Sequence, residues 1–303
     1  MKKILLTGEN SYIGTNLKAY LQEYNEKQGK ECYLVDCISQ RSDGWEMQDF
    51  GAYDTIVDVT GIAHVDVGKV SKEEITHYYD INWKLAVRTA LKAREEGVRQ
   101  FIYLSSSIVY GDSAVLGQEK HITKETKPTP ANFYGDSKWQ AEQELKSLGT
   151  KVFQVAILRL PFVYGAECKG NYRILSKLAE KMPAFPSVRN SRSMLYIENL
   201  NEFLRLIIEA GQGGLFFPQN PQHCSTGELV QAIGAAKGRK IYLWNILNPL
   251  VWLAAKCPGR IGKLTNKAFG SLTYDLELSK EPAGYQLYDL SESVHRIEQK
   301  GKA

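Results

Sequence analysis

Cysteine is scarce in this chain of 303 residues. The five present, Cys32, Cys37, Cys168, Cys224 and Cys257, are odd in number and form no C-x-x-C pair. That spacing excludes a zinc ribbon and a disulfide framework, and it fits a reducing compartment. Histidine is as rare, and His64, His77 and His121 have no carboxylate or cysteine at ligand spacing, so no metal site is expected. Charge of one sign is also missing. A net charge of +4, with the cations spread out, argues against nucleic acid as partner and leaves a small polyanionic substrate open. Long apolar runs are absent at the start, where Gly8 and Glu9 interrupt "MKKILLTG" too early for a signal peptide. A cytoplasmic protein is expected. No internal repeat or low-complexity tract occurs.

What is present alternates. "KILLT" (3–7), "CYLVD" (32–36), "TIVDVT" (55–60), "FIYLSS" (101–106) and "VFQVAILR" (152–159) are short runs rich in branched and aromatic residues, which predicts strands. Helical patterns lie between them at 13–24, 73–97 and 137–149. Strand–helix alternation predicts an α/β fold of Rossmann type, a doubly wound parallel sheet with helices on both faces. Beyond residue 165 the pattern loosens, with Pro183, Pro186, Pro218 and Pro221 marking turns. The expected division is a dinucleotide-binding domain at 1–165, to which a segment at 193–222 returns, and a smaller substrate lobe at 166–303.

The stretch "TGENSYIG" (7–14) follows the first strand and opens the first helix. A glycine turn there aims backbone N–H groups and the positive helix end at a pyrophosphate. Gly8 supplies the turn and Gly14 the close helix–sheet contact, with Asn10, Ser11, Tyr12 and Ile13 between. Ser11 stands where the backbone must approach phosphate. A positive φ there would cost a serine about 1–2 kcal/mol, whereas a negative φ would leave its hydroxyl free to act. Asp36 closes the next strand, 28 residues after Gly8. An acid at that place accepts from ribose hydroxyls and repels a 2′-phosphate, favouring NAD over NADP; an ordinary strand-end acid is the alternative.

In "NFYGDSKWQAE", Tyr134 and Lys138 are four residues apart on one helix face. An ammonium near a phenol favours the phenolate, so such a tyrosine can serve as acid or base nearer neutrality. "LSSSIVYG" (104–111) places serines at the carboxyl edge of a strand, where one could hold a substrate oxygen beside Tyr134.

These features together resemble an extended short-chain dehydrogenase/reductase of the NAD-dependent sugar epimerase/dehydratase family, along nearly the whole chain. "TGENSYIG" corresponds to its T-G-x-x-G-x-x-G, with Ser11 replacing a glycine. The resemblance implies Ser106, Tyr134 and Lys138 as the catalytic trio, with Ser107 facing the substrate. It implies that Asp49 and Phe50 border the adenine, and that 58–65, with Thr60 and Gly61, lines the pyrophosphate, Asp58 replacing the usual histidine. It also implies that Asn82 supports the site and that Pro161, in "LRLPFVYG", lies beside the nicotinamide, Phe162 standing where an asparagine is frequent. The stretches 169–200 and 269–275 are similar to a subgroup from bacterial surface-polysaccharide pathways, which implies Asn171 and Arg192 at the substrate diphosphate. A guanidinium suits that task, though a solvated surface arginine in "RNSRS" is the plain alternative. NAD as cofactor, a UDP-sugar as substrate and a homodimer through helices 73–97 and 137–149 are further implications.

The expected activity is a nucleotide-sugar 4-epimerase acting through a transient 4-ketosugar. A 4-ketosugar reductase, on a nucleotide or a polyprenyl-diphosphate carrier, uses the same residues once; a non-catalytic NAD-binding sensor is the third reading. A dehydratase is disfavoured, because Ile108 and Val109 occupy the place where an Asp-Glu pair would be expected. Finally, 241–264 is apolar, holds two tryptophans and has basic flanks, yet is too short and interrupted to span a bilayer. It reads as a lid or packing helix, begun at Asn248 and Pro249, or as a surface for weak contact with an anionic membrane.

Overall fold

In the computed structural model, residues 1–41, 43–63, 70–168 and 170–300 are described. His64 and Val65, within the expected pyrophosphate-lining stretch, lie outside them. The chain forms two compact units, one of Met1–Gly111, Lys127–Leu160 and Asn201–Pro218, the other of Asp112–Thr126, Pro161–Leu200 and Gln219–Ala303. The division differs from the expected boundary at 165: the break falls after Leu160, and Asp112–Thr126 belongs with the second unit.

The first unit is built on six parallel strands: β1 (Lys2–Thr7), β2 (Tyr33–Ile38), β3 (Thr55–Asp58), β4 (Gln100–Ser106), β5 (Gln154–Leu160) and β6 (Gly214–Phe216). Their order is β6-β5-β4-β3-β1-β2. The central strands are buried along their length because helices cover both faces, which is why they read as continuous apolar runs. β1 has β2 on one side and β3 on the other, so its carboxyl end is the switch point where such sheets open a crevice. The register sets Thr7 beside both Ile38 and Asp58.

Helices of this unit are α1 (Tyr12–Gln28), α2 (Lys72–Tyr79), α3 (Ala86–Glu95) and α4 (Phe133–Leu148), joined by the greater part of the helix Ile197–Ala210. The pattern at 73–97 predicts one helix; α2 and α3 are instead joined by a π-helical segment, Asp80–Leu85, that contains Asn82. Such π segments are rare and often sit at functional sites. α4 starts four residues before the expected 137, because the Asn132 side chain caps it by accepting from Gly135 N at 2.9 Å. The cap brings Tyr134 into the first turn. A core of Leu5, Ile56, Phe101 and Tyr103 from the sheet with Ala90, Ala141 and Leu145 from α3 and α4 fixes both helices on one face.

The second unit holds α5 (Asn171–Lys181), the start of α6 (Ile197–Ala210), α7 (Thr226–Ala236), α8 (Asn248–Lys256), α9 (Arg260–Phe269) and α10 (Leu290–Lys300). Three short parallel pairs join them: Phe162–Tyr164 with Met194–Tyr196, Ala184–Pro186 with Tyr242–Trp244, and His121–Ile122 with Thr273–Tyr274. α8 begins with Pro249 in its first turn, where a missing N–H costs nothing.

Candidate active site

The opening turn shows why Ser11 replaces glycine. Gly8 has φ +75°, and a Cβ there would stand 3.1 Å from Thr60 Oγ1 and 3.3 Å from the Thr60 backbone. Ser11, by contrast, has φ −74° and ψ 139°, an extended conformation open to any residue. Its Oγ accepts from Gly14 N at 2.9 Å and caps α1. Serine is therefore used and unstrained. A Cβ on Gly14 would meet Val59 Cγ2 at 3.0 Å, so that glycine sets the helix against the sheet. The first turn of α1 carries no acidic residue, and its positive end is left for an anion. Asn10, exposed, donates to Glu9, while Tyr12 and Ile13 begin the helix.

Asp36 does not close β2, which runs two residues further, to Ile38. The carboxylate is exposed and accepts from Tyr53 OH at 3.0 Å. Phe50 is wholly buried in the core with Trp45, so only its backbone could border a ligand. Its N–H goes to Glu96, while Asp49 accepts from Gly51 N. What sequence reasoning missed at this edge is Gln40. It is buried, its Nε2 donates to Thr89 Oγ1 at 2.7 Å, and its Oε1 accepts from Thr60 Oγ1 at 2.8 Å. No periodic signal marks a glutamine in a strand-end loop.

The network continues to Asp58. Thr7 Oγ1, itself 2.9 Å from Thr60 Oγ1, donates to Asp58 Oδ1 at 2.6 Å. Asp58 is buried, and its Oδ2 has no hydrogen-bond partner among the described residues. Burial pushes this carboxyl above its ordinary range, opposed by the Thr7 hydrogen bond and the charge of Lys138.

The trio gathers at the ends of β4 and α4. Tyr134 is half-buried in the first turn of α4, and Ser106 closes β4. Burial raises the phenol above its ordinary value, and the Ser106 hydrogen bond acts the other way. The Lys138 ammonium donates to Leu104 O at 3.0 Å and lies 4.6 Å over the Tyr103 ring. Burial lowers it to about 8, against the attraction of Asp58 and Glu142. Beside Lys138 is Gly61, where a Cβ would stand 3.3 Å from both Lys138 Nζ and Asn82 Oδ1. Asn82 Oδ1 accepts from Ile62 N at 2.8 Å, and its own carbonyl accepts from Tyr103 OH at 2.7 Å. Ser107 starts a 3-10 turn whose cap is Ser106. Behind the trio, Ser105 donates to Glu142, which is also paired with Arg159 of β5.

In the second unit, Pro161 is buried just ahead of the Phe162–Tyr164 strand. Asn171, in the first turn of α5, and Arg192 both line a cavity of about 430 Å³. Arg192 Nη1 donates to Lys267 O at 3.0 Å and its guanidinium lies 5.9 Å from the Phe162 ring. Among the described residues no carboxylate pairs with it, so it is not the solvated surface arginine of the plain reading but a half-buried cation on a cavity wall.

A Rossmann sheet with a glycine turn at its switch point and Ser, Tyr and Lys on β4 and α4 is matched at the level of sequence. Residues 4–216 fit the model of the NAD dependent epimerase/dehydratase family. The chain belongs to that family. It is 28% identical over 313 residues to a UDP-glucose 4-epimerase of Vibrio cholerae, covering 94% of this chain and 90% of the relative. It is 28% identical over 283 residues to the N-acetyl-alpha-D-glucosaminyl-diphospho-ditrans,octacis-undecaprenol 4-epimerase of Escherichia coli O157:H7, covering 88% and 82%. Among solved structures, a dTDP-4-dehydrorhamnose reductase from Clostridium acetobutylicum shares the fold at TM-score 0.72 and 16% identity, covering 99% of this chain and all of the other. Membership makes this an NAD-dependent sugar epimerase or 4-ketosugar reductase. The first unit fits that cofactor: Gly8, Gly14 and Gly61 leave a cradle that side chains would fill, and the acid-free start of α1 faces it.

Proposed function

We propose that the protein is a 4-epimerase of a diphosphate-linked hexose or N-acetylhexosamine in surface polysaccharide assembly, working through a transient 4-ketosugar. The observation that carries this reading is the placement of Ser106 at the carboxyl end of β4, with Tyr134 in the first turn of α4 and buried Lys138 one turn on.

The turn at Gly8–Gly14 and the start of α1 would hold the NAD pyrophosphate. Thr60 and Gly61 would line the pyrophosphate, Lys138 would bond the nicotinamide ribose, Pro161 would lie beside the nicotinamide, Asp36 would take the adenine ribose, and the Asp49–Phe50 backbone would border the adenine. When bound, NAD supplies the hydride acceptor and the donor of the return step. Tyr134 takes the proton of the 4-hydroxyl and gives it back; Ser106 holds that oxygen and stabilises the phenolate by donating to it, while Ser107 contacts the sugar. Asn82, fixed by the π segment, positions Gly61 and Ile62. Lys138 provides positive charge under the sheet edge, steadied by Asp58. Asn171 and Arg192 bind the diphosphate. A homodimer through α2–α3 and α4 completes the proposal.

A 4-ketosugar reductase is the reading to exclude. The purified protein, denatured, should release NAD, and a substrate deuterated at C4 should give epimer that keeps the label. Loss of the label, or a requirement for added reduced cofactor and a ketosugar, would make it a reductase. Bound NAD with no turnover, unaltered by Tyr134→Phe, would leave a cofactor-binding sensor.

A further inference from the structure

The cavity that holds Arg192 and Asn171 is apolar almost throughout. Away from those two residues its wall is built from Ile174, Leu175, Leu178 and Met182 of the α5 segment and from Leu264 and Phe269 of α9. Its few other polar side chains are already engaged. Thr226 Oγ1 donates to Ala268 O at 2.6 Å, and Ser225 Oγ caps α7 by accepting from Glu228 N. A nucleobase and a ribose entering here would find almost no side-chain partners for their hydrogen-bonding edges, and a polar group buried without a partner loses its water for nothing in return.

The apolar wall does not stop at the cavity. A second, more open hollow of about 280 Å³ shares Met182, Pro186, Val251 and Phe269 with it and is lined further by Leu247, Leu250 and Ala254. From there α8 and α9 expose Leu250, Leu253 and Ile261 at 64%, 67% and 60%. Lys256, Arg260, Lys263 and Lys267 lie on the same two helices. An end that carries the Arg192 guanidinium, two adjoining apolar hollows that share four wall residues, and exposed apolar side chains on two helices that also bear lysines and an arginine are the complement of a diphosphate with a long hydrocarbon chain.

We infer that the substrate's carrier is an isoprenoid diphosphate rather than a nucleotide, the first isoprene units lying in the trough between α5 and α9. The inference rests on the epimerase reading for the sugar end and on the second unit alone for the carrier.

The test has two readouts. Binding of farnesyl diphosphate and of UDP is followed by calorimetry on the full chain. Farnesyl diphosphate is expected to bind at least tenfold more tightly than UDP. Ile174→Asp and Leu264→Asp, both at exposed positions, are expected to weaken it tenfold or more with the melting temperature unchanged. UDP binding more tightly, or both variants binding farnesyl diphosphate like the parent, would overturn the inference. Turnover is then compared between N-acetylglucosamine linked through diphosphate to farnesol and to uridine. Epimerisation of the farnesyl compound only, or faster, supports both readings. Epimerisation of the UDP compound only defeats the carrier inference and leaves the epimerase standing. Turnover of neither defeats the epimerase reading for this sugar, and the binding result alone then decides the carrier.

Discussion

Glu142 of α4 and Arg159 of β5 form a buried ion pair, with Nε 3.0 Å from Oε2 and Nη2 2.5 Å from the same oxygen. The guanidinium also lies 5.0 Å from the Tyr110 ring and 5.5 Å from the Trp139 ring, and Ser105 donates to Glu142. The pair bolts the helix that carries Tyr134 and Lys138 to β5, the strand that runs beside the serine-bearing β4. Removing one partner of such a pair leaves a buried charge, at a cost of about 3–5 kcal/mol. Glu142→Gln is expected to lose that much in urea unfolding. A loss below 1 kcal/mol would show that the pair does not hold α4 in place.

Ser11 acts as a helix cap. Ser11→Ala is expected to cost about 1 kcal/mol of stability, and Ser11→Gly only a few tenths. Both are readable by chemical unfolding of the cofactor-free protein. If glycine stabilised the chain by more than 1 kcal/mol, the residue would be strained and φ −74° would be wrong.

Lys138 titrates at about 8, below its ordinary 10.5, because it is buried. A base whose pKa falls on folding opposes the fold while it is charged. The penalty is full below pH 8 and lifts as pH rises from 8 to 10.5; the 2.5-unit difference corresponds to about 3 kcal/mol. The stability of the cofactor-free protein should carry this rising contribution, and Lys138→Met should remove it. Asp58→Asn removes a charge that favours the ammonium, so the midpoint should fall below 8. A profile identical in parent and Lys138→Met would contradict this assignment.

Tyr134 is a phenol pushed up by burial and pulled down by Ser106. Proton removal from the sugar needs the phenolate, so kcat/KM should rise with pH on the alkaline side. Ser106→Ala should move that limb to higher pH as well as lowering its height. A limb that stays in place in the variant would mean that Ser106 only binds.

Much of this was legible in the sequence, for reasons that can be named. The run before Gly8, the serines at the end of β4 and the Tyr134–Lys138 spacing are local patterns, and local geometry follows from them. The role of Ser11 was not legible, because one residue type is compatible with either sign of φ. Asp36 does not end its strand as the local pattern suggests, because β2 continues through Cys37 and Ile38, whose pairing with β1 is a long-range fact. Gln40, Glu142 and Arg159 are polar residues whose burial depends on partners from other elements. That the Lys138 ammonium donates to the Leu104 carbonyl is a contact between α4 and β4, which spacing along one helix does not carry.

The most direct test of the central claim follows C4 stereochemistry by NMR in a mixture of protein, NAD and a diphosphate-linked sugar with a free 4-hydroxyl. The account predicts interconversion of the two C4 epimers without net reduction, lost by about 10²–10⁴-fold in Tyr134→Phe with NAD still bound. Interconversion that survives Tyr134→Phe would contradict the account.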